Sequence, residues 1–309
     1  MDRIKARKIA VIVSLILIMP LLTACWGYRE VDKMSIVVGV AIDKGTTHEY
    51  LVTYEVVDFS QMKAEGKAKS ILVKSEGDTL LEASRNAISK NFPRLYFGHS
   101  TIVVVSKEIA SEGILDVIDS LCRDNETRLS MHLLVSEEET AGELLKVKPL
   151  DTALLSTEIN NILIEEKYLS KAIPFQTYEF VNCVMDQGIS CAMTTVCIEK
   201  KEEEELIKLC GTAVFKHDKL LGFIDEEETK ALSFILDKVK GGVNVVKIGS
   251  GDDESRFSLE IIRSNTKLKP TFKDKKLSIE IDVKVVVTLG EHISNKDYGT
   301  EEGIKQLSK

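Results

Sequence analysis

The sequence lacks the short motifs that identify many enzymes. It contains no Gly-x-Gly-x-x-Gly, no Walker lysine loop, no Gly-x-Ser-x-Gly and no His-Glu-x-x-His, so the common nucleotide-binding, hydrolase and zinc-protease signatures are missing. Its five histidines are scattered without the spacing of metal ligands, and no Cys-x-x-Cys pair occurs. No catalytic residue, cofactor or metal is therefore predicted, and we expect that the protein is not an enzyme.

Proline is also scarce, and basic residues are outnumbered by acidic ones. Only five prolines occur in 309 residues, which argues against long disordered linkers, and the composition of 44% hydrophobic and 29% charged residues is that of a globular chain. Beyond residue 24, 37 basic side chains face 48 acidic ones, a net charge of −11. Such an acidic chain is not expected to bind nucleic acid by counterion release or anionic lipid by charge.

Cysteine is sparse as well. Beyond the cysteine at position 25, five remain: Cys122, Cys183, Cys191, Cys197 and Cys210. An odd number cannot pair completely within one chain. Cys191 and Cys197 are six residues apart, on one face of a predicted strand, where they cannot bridge each other. We therefore expect buried free thiols rather than structural disulfides, and no function in these cysteines.

One long apolar run follows a basic start. Residues 1–8 carry four basic side chains and one acid, and residues 9–22 are apolar with two exceptions. This pattern is typical of a secretory signal, and the run is shorter than the about 20 residues that span a bilayer. The sequence Leu-Thr-Ala directly before Cys25 matches the bacterial lipobox, at which the thiol receives a diacylglycerol and the chain is cut. The alternative is an ordinary secretion signal followed by a cysteine by chance.

We therefore expect a signal peptide over residues 1–24 and membrane attachment through acyl chains, palmitate among them, on Cys25. Each buried CH₂ contributes about 0.8 kcal/mol, so two or three chains hold far more tightly than one. Trp26, the single tryptophan, would follow the lipid directly. An indole at the membrane interface and simple packing both explain its position.

Hydrophobic periodicity predicts a mixed α/β first half. Residues 35–135 follow the order β-β-β-α-β-α-β. The strand at residues 101–105 is almost wholly apolar and is expected to be buried on both faces. Residues 139–187 are predicted to be helical, with breaks at Pro149 and Pro174.

The second half predicts an antiparallel sheet with a covering helix. Residues 206–224 indicate a hairpin, and a capping box at Asp225 begins a helix that we expect to end at Lys240. Residues 277–289 alternate apolar and polar, as in a sheet with one wet face. The helix can cover part of the apolar face, but residues 291–309 are polar and supply no second cover, so this part is expected to be incomplete.

Three segments carry a resemblance to a known family. The first is Cys-Trp-Gly-Tyr-Arg-Glu at 25–30, followed by a Gly-containing strand that ends at Asp43. The second comprises Ser-Arg at 84–85, Arg-Leu-Tyr-Phe-Gly-His at 94–99, Gly-Ile at 113–114 and Arg-Asp-Asn-Glu-Thr-Arg at 123–128. The third is the glycine-bounded run at 211–222. Their order and spacing resemble the Ger(x)C family, the C-subunit lipoproteins of spore germinant receptors, from Cys25 to roughly Leu289.

The resemblance implies a non-enzymatic protein in nutrient-triggered spore germination. It would lie on the outer, extracytoplasmic face of the spore inner membrane and act with two multi-span membrane subunits, of A and B type, that sense small-molecule germinants. Family members are elongated crescents of mixed α/β domains. We accordingly expect an α+β or mixed α/β fold with mixed sheets, divided into an N-terminal germination-protein domain over 25–200, with a further division near 140–150, and a C-terminal one over 201–309.

The resemblance carries over no catalytic residue; apart from lipidation at Cys25, its motif positions have structural or partner-contact roles. These positions are Trp26, Arg29, Glu30, Asp43, Arg85, Arg94, His99, Arg123, Arg128, Gly211, Phe215 and Gly222. Arg123 and Arg128 flank Asp124 and Glu126, so local salt bridges are expected there, with a partner-binding patch as the alternative.

Two other functions fit a lipoprotein. A substrate-binding lipoprotein of a solute uptake system has two similar α/β lobes around a ligand cleft and a hinge, whereas no duplicated lobe is visible in this sequence. A lipoprotein hydrolase is disfavoured because its motifs are missing.

Overall fold

A computed structural model of the chain describes residues 2–18, 34–59, 69–90, 93–150, 153–186, 188–201, 204–248, 255–293 and Thr300. The chain divides into two compact units, Met1–Met34 and Ser35–Lys309. The first contains helix α1, Asp2–Ile18, which coincides with the basic start and most of the apolar run of the predicted signal. In the described ranges, no helix has the length and apolarity that a membrane crossing requires.

A mixed sheet of nine strands dominates the second unit, and its centre is parallel. The strands are β1 (Met34–Lys44), β2 (Tyr50–Asp58), β3 (Lys69–Gly77), β4 (Arg94–Tyr96), β5 (Ile102–Val105), β6 (His132–Ser136), β7 (Ala192–Lys201), β8 (Glu204–Lys216) and β9 (Lys219–Ile224). Their order is β3-β2-β1-β5-β6-β7-β8-β9, with β4 beside β1. The pairs β1–β5, β5–β6 and β6–β7 are parallel. The pairs β3–β2, β2–β1, β7–β8 and β8–β9 are antiparallel.

Helices cover both faces of this sheet. They are α2 (Leu80–Asn86), α3 (Lys107–Glu112), α4 (Leu115–Arg123), α5 (Ala141–Leu144), α6 (Leu155–Glu165) and α7 (Thr177–Met185). Successive side chains of β5 belong to two different core clusters, one shared with α2, α3, α4 and α7 and the other with α5 and α6. All four residues of β5 are buried, which confirms the expectation of a strand covered on both faces.

Hydroxyl side chains cap the starts of two of these helices, α2 and α3. The Thr79 hydroxyl accepts a hydrogen bond from the amide of Glu82 at 3.1 Å, and the Ser106 hydroxyl accepts one from Ile109 at 3.3 Å. Each satisfies an amide that the first helical turn leaves without a partner. Gly113 separates α3 from α4 at a φ of +131°, a conformation that favours glycine.

Gly39 allows α6 to lie directly on the sheet. A Cβ atom built on this residue would overlap the side chain of Ser156 in α6 and lie 3.2 Å from Ile102 in the neighbouring strand β5. The motif glycine is therefore explained by close packing between β1 and α6 rather than by a turn.

Most of the charged run at 199–205 lies in two paired strands, at the end of β7 and the start of β8. The two strands pair from Ala192–Val214 to Lys201–Glu204. Strands on both sides of residue 200 therefore belong to one sheet, which continues to β9 at Ile224.

A second, three-stranded antiparallel sheet follows. Helix α8, Glu226–Ile235, begins with the predicted capping box of Asp225 and Glu228. The expected end at Lys240 is wrong, because Asp237 turns to a φ of +56° and its carboxylate accepts a hydrogen bond from the amide of Thr266 at 2.8 Å. The sheet has the order β10-β11-β12 and consists of β10 (Val243–Ile248), β11 (Ser255–Lys273) and β12 (Lys276–Ile293).

Only the base of this sheet is covered. Phe257 and Ile261 of β11 are buried, and Thr266 donates a hydrogen bond to the carbonyl of Phe234 in α8, so the helix covers part of the sheet as expected. Further along β12, six alternating apolar side chains are 39–64% exposed: Leu277, Ile279, Ile281, Val283, Val285 and Val287. The predicted alternation is present, but its apolar face meets solvent.

The cysteines correct the expectation of free thiols. Cys183 of α7 is bonded to Cys191 just before β7, and Cys197 of β7 to Cys210 of β8, with Cα separations of 5.9 and 6.1 Å that are ordinary for disulfides. Cys191 and Cys197 do not bridge each other, as predicted, yet each meets a cysteine of a neighbouring element. The remaining thiol, Cys122, is exposed.

Candidate functional site

A cavity of about 610 Å³ lies between α2 and α4, above strands β1 and β2. Its floor is apolar and belongs to the core of the large sheet. The floor residues are Val40, Val52, Tyr54, Leu80, Phe97, Leu121 and Met131. The ring of Tyr54 packs edge-to-face on Phe97 with centroids 5.9 Å apart. A half-open apolar cavity of this volume is within the range of small-molecule sites.

Three of the predicted arginines meet at this cavity. Arg85 lies near the end of α2, Arg94 begins β4, and Arg123 ends α4. All three line the cavity together with parts of the 123–128 segment. The second motif segment, dispersed along the sequence, therefore forms one wall and rim because its pieces lie at element ends on the same side of the sheet.

Two of these arginines are held by ion pairs. Arg94 Nη2 lies 2.9 Å from Glu126 Oε1, which joins two parts of the motif. Arg123 Nε lies 2.6 Å from Asp119 Oδ2, one helical turn earlier in α4. Arg123 therefore makes a local salt bridge, but its partner is Asp119 and not one of the acids that it flanks with Arg128, because the i, i+4 spacing on a helix brings Asp119 close. Asp124 instead accepts a hydrogen bond from the amide of Glu126 at 2.8 Å.

Other polar groups of the cavity have unused hydrogen-bonding capacity. Arg85 is exposed and has no hydrogen-bond or ion-pair partner among the described residues, and neither has Asp116 in the first turn of α4. The Nε of Arg94 is buried and also has no partner within the described ranges. An unpaired buried donor costs about 1–3 kcal/mol.

Electrostatics keep the tyrosines of the cavity neutral. Burial raises the pKa of Tyr54, and burial together with the negative charge of Asp116 raises the pKa of Tyr50. Both hydroxyls therefore remain donors at neutral pH. On the rim, the hydrogen bond from Arg123 lowers the pKa of Asp119, so this carboxylate stays charged.

Asp43, the acid at the end of the first motif strand, lies away from the cavity lining. It is 3% exposed, and its carboxylate accepts hydrogen bonds from the amides of Ala141 and Gly142 at 2.5 and 2.9 Å. Burial raises its pKa, and these two hydrogen bonds oppose the rise. Asp43 therefore holds the start of α5 on the sheet, which is a structural role.

Sequence reasoning missed a second carboxylate of this kind. Glu55 of β2 is 1% exposed and accepts hydrogen bonds from the amides of Leu155 and Ser156, at 2.9 and 2.8 Å, at the start of α6. An acid among the apolar residues 51–57 was the available signal, because a charge inside a strand that is otherwise apolar needs partners.

The remaining motif residues are dispersed. Gly211 has a φ of +129° beside the hairpin with β9, Phe215 is fully buried 6.1 Å from the Phe180 ring, and Gly222 has open space around it. His99 packs edge-to-face on Tyr96, and Arg128 is exposed outside the cavity lining.

The start of the first motif segment, residues 25–30, lies outside the described residues. This applies to Cys25, Trp26, Arg29 and Glu30, so the lipidation site remains a prediction. Among the residues that the structure describes, no cluster of His, Cys, Asp or Glu could hold a metal ion.

Comparison with known proteins identifies relatives over almost the whole chain. Residues 27–198 match the spore germination protein N-terminal domain, and residues 210–309 match the spore germination B3/GerAC-like C-terminal domain. Spore germination protein B3 of Bacillus subtilis (strain 168) is 26% identical over 269 residues, which covers 85% of this chain and 70% of the relative. Spore germination protein KC of the same organism is 23% identical over 307 residues, covering 90% and 74%.

One solved structure is also similar. The crystal structure of the GerBC protein has 22% sequence identity and a TM-score of 0.47, and the match covers 87% of this chain and 78% of that one.

Proposed function

Because the chain belongs to the Ger(x)C family of spore germination proteins, we propose that it is a lipid-anchored, non-enzymatic subunit of a spore germinant receptor complex. It would be attached through Cys25 to the extracytoplasmic face of the spore inner membrane. There it would assemble with two multi-span subunits of A and B type and contribute to nutrient-triggered germination.

The observation that carries this proposal is the match to both family domains in order, from residue 27 to residue 309. The predicted signal and lipobox directly precede the first domain, as an extracytoplasmic lipoprotein requires. Two disulfides in the described residues agree with an oxidising compartment outside the cytoplasm.

The chemistry of the cavity supports a role in binding rather than catalysis. Its described lining contains arginine, aspartate, tyrosine, serine and threonine, but neither histidine nor cysteine. The described lining therefore lacks the histidine and the cysteine of the common hydrolase catalytic groups. The uptake-system alternative requires two similar lobes and a hinge, whereas the described residues form one large mixed sheet and one small antiparallel sheet.

The proposal is tested by recovering tagged full-length protein from detergent-solubilised spore inner membranes. Two multi-span subunits should be recovered with the wild type. The Cys25→Ala variant should leave the membrane fraction and recover much less of both, because the acyl chains that hold it are missing. Cys122→Ala is the matched control: it removes the exposed thiol of α4 and should behave as the wild type.

Two results would contradict the proposal. Recovery of the lipoprotein alone would refute the receptor complex, and a Cys25→Ala variant that stays in the membrane fraction would refute the lipid anchor. Mass spectrometry of the N-terminal peptide, with and without its acyl chains, distinguishes loss of the lipid from loss of the protein.

A further inference from the structure

The lining of the cavity between α2 and α4 contains unpaired charged side chains of both signs. Of its acids, Asp78 lies 3.0 Å from His48 Nδ1, Asp119 is paired with Arg123, and Asp124 accepts from a backbone amide. Asp116 is the single lining carboxylate without a hydrogen-bond or ion-pair partner among the described residues. On the donor side, the guanidinium of Arg85 has no hydrogen-bond or ion-pair partner among the residues that the structure describes.

Further donors lie close by. The Nε of Arg94 has no partner in the described part of the chain, and Tyr50 belongs to the lining with a protonated hydroxyl. A ligand that supplies acceptor atoms can pair with these donors. Among acceptors, a carboxylate suits an arginine best, because the guanidinium can donate two parallel hydrogen bonds to it.

The apolar floor of the cavity determines the second chemical group that a ligand needs. Valine, leucine, methionine and two aromatic rings form a continuous apolar surface beneath the charged rim. Covering this surface with an apolar group removes it from water and is favourable, at about 25 cal/mol per Å². The cavity volume of about 610 Å³ accommodates a small molecule and not a folded element of another protein.

We propose that this cavity is a binding site for a small amphipathic carboxylate. Its carboxylate would pair with Arg85 at the rim, and its apolar group would cover the floor formed by Val52, Tyr54 and Phe97. The proposal rests on the geometry of the cavity and stands independently of receptor assembly.

Asp116 provides a test of whether the bound ligand carries a negative charge. It lines the same cavity and is an unpaired negative charge, so it repels a bound carboxylate and attracts an ammonium group. Neutralising Asp116 should therefore have the opposite effect to neutralising Arg85.

The test uses three probes that share one apolar group and differ in charge: 3-phenylpropanoate, 3-phenylpropan-1-ol and 3-phenylpropylamine. Binding to the full-length chain in lipid nanodiscs is measured by titration calorimetry, with empty nanodiscs as the blank. The acid should bind most tightly. Arg85→Gln should weaken its binding about tenfold, because a charge-assisted hydrogen bond is lost, and should leave the alcohol unchanged.

Two further variants complete the design. Arg128→Gln removes an exposed arginine of the same motif outside the lining and should not change binding. Asp116→Asn should tighten binding of the acid and weaken binding of the amine. All three substitutions are at surface or rim positions, and equal melting temperatures would show that each variant is folded.

The proposal is overturned if the acid shows no binding up to about 10 mM, if the alcohol or the amine binds as tightly as the acid, or if Arg85→Gln and Arg128→Gln behave alike. None of these results bears on recovery of the multi-span subunits from spore membranes, so failure of this proposal and failure of the receptor assignment are distinguishable.

Discussion

Asp43 and Glu55 lie almost fully inside the protein, where both carboxylates accept hydrogen bonds from backbone amides. Each carboxylate from the sheet accepts two amide hydrogen bonds at the start of a helix on the same face. A buried charge is tolerated when such bonds replace its water, and the positive end of a helix favours an anion. These two acids therefore connect α5 and α6 to β1 and β2 across about 100 residues of sequence.

We expect Asp43→Ala to destabilise the protein by about 2–4 kcal/mol, because the amides of Ala141 and Gly142 lose their acceptor inside the protein. Asp119→Ala is the control. It removes a similarly short charged contact on an exposed helix surface, and the expected loss is much smaller, because water screens an exposed ion pair.

Urea unfolding of the full-length variants, followed by circular dichroism, measures both losses. Equal losses for Asp43→Ala and Asp119→Ala would show that the buried carboxylate does not hold α5 in place.

The arginines show that the position of a residue in the sequence does not identify its ion-pair partner. Arg123 and Asp124 are neighbours in the chain, but a helix turns successive side chains about 100° apart, so Asp119 is the residue that Arg123 meets. Arg94 reaches Glu126 across 32 residues. The motif was visible in the sequence, whereas the identity of each pair depended on the elements that carry it.

Among the elements, the contact between β1 and α6 depends most directly on residue size. Gly39 and Ala41 lie on the face of β1 that α6 covers, and both are small. The helix can lie this close because no side chain at position 39 separates it from the strand.

Gly39→Ala should therefore destabilise the protein by about 1–3 kcal/mol, the usual cost of overpacking a well-filled core. Gly222→Ala is the matched control, since a Cβ atom there meets nothing within 4 Å, and its effect should stay within about 0.5 kcal/mol.

Thermal and urea unfolding compare the two alanine variants. If Gly39→Ala is as stable as Gly222→Ala, α6 does not depend on the close approach at position 39.

Which cysteines form disulfides also depends on the helices and strands that carry them. From the sequence, Cys191 and Cys197 were not expected to bridge each other, because they lie on one face of a predicted strand. The sequence pattern does not show that α7 places Cys183 beside Cys191, or that the hairpin of β7 and β8 places Cys210 beside Cys197. Strand register sets which side chains are neighbours, and register is a property of the pair rather than of either strand.

On the scale of the whole molecule, the long hairpin of β11 and β12 exposes an unusual amount of apolar surface. Along β12, alternate side chains from Leu277 to Val287 are 39–64% exposed, whereas soluble proteins seldom expose large contiguous apolar patches. We expect the full-length chain to bind hydrophobic dyes at this face.

Replacing Val283 and Val285 together by threonine should lower dye binding and self-association while changing the free energy of unfolding by less than about 1 kcal/mol, because both side chains are already in solvent. The matched control replaces Asp282 and Lys284 by threonine, on the opposite face of the same strand.

Dye fluorescence and sedimentation velocity compare the two double variants. Equal dye binding by both would show that the apolar face of β12 is not the surface that the dye contacts.

Much of this architecture can be predicted from local patterns. The strand alternation in the second half, the apolar strand at 101–105 and the capping box at Asp225 are all present as expected, because each depends on residues close together in the chain. The family resemblance was likewise carried by short runs of residues and is confirmed by the domain matches.

Long-range contacts were beyond the reach of these patterns. The convergence of Arg85, Arg94 and Arg123 on one cavity and the hydrogen bonds of Asp43 and Glu55 to α5 and α6 join residues through the order of strands in the sheet. That order depends on which arrangement buries the most apolar surface on both faces at once, and this is a property of the folded chain as a whole.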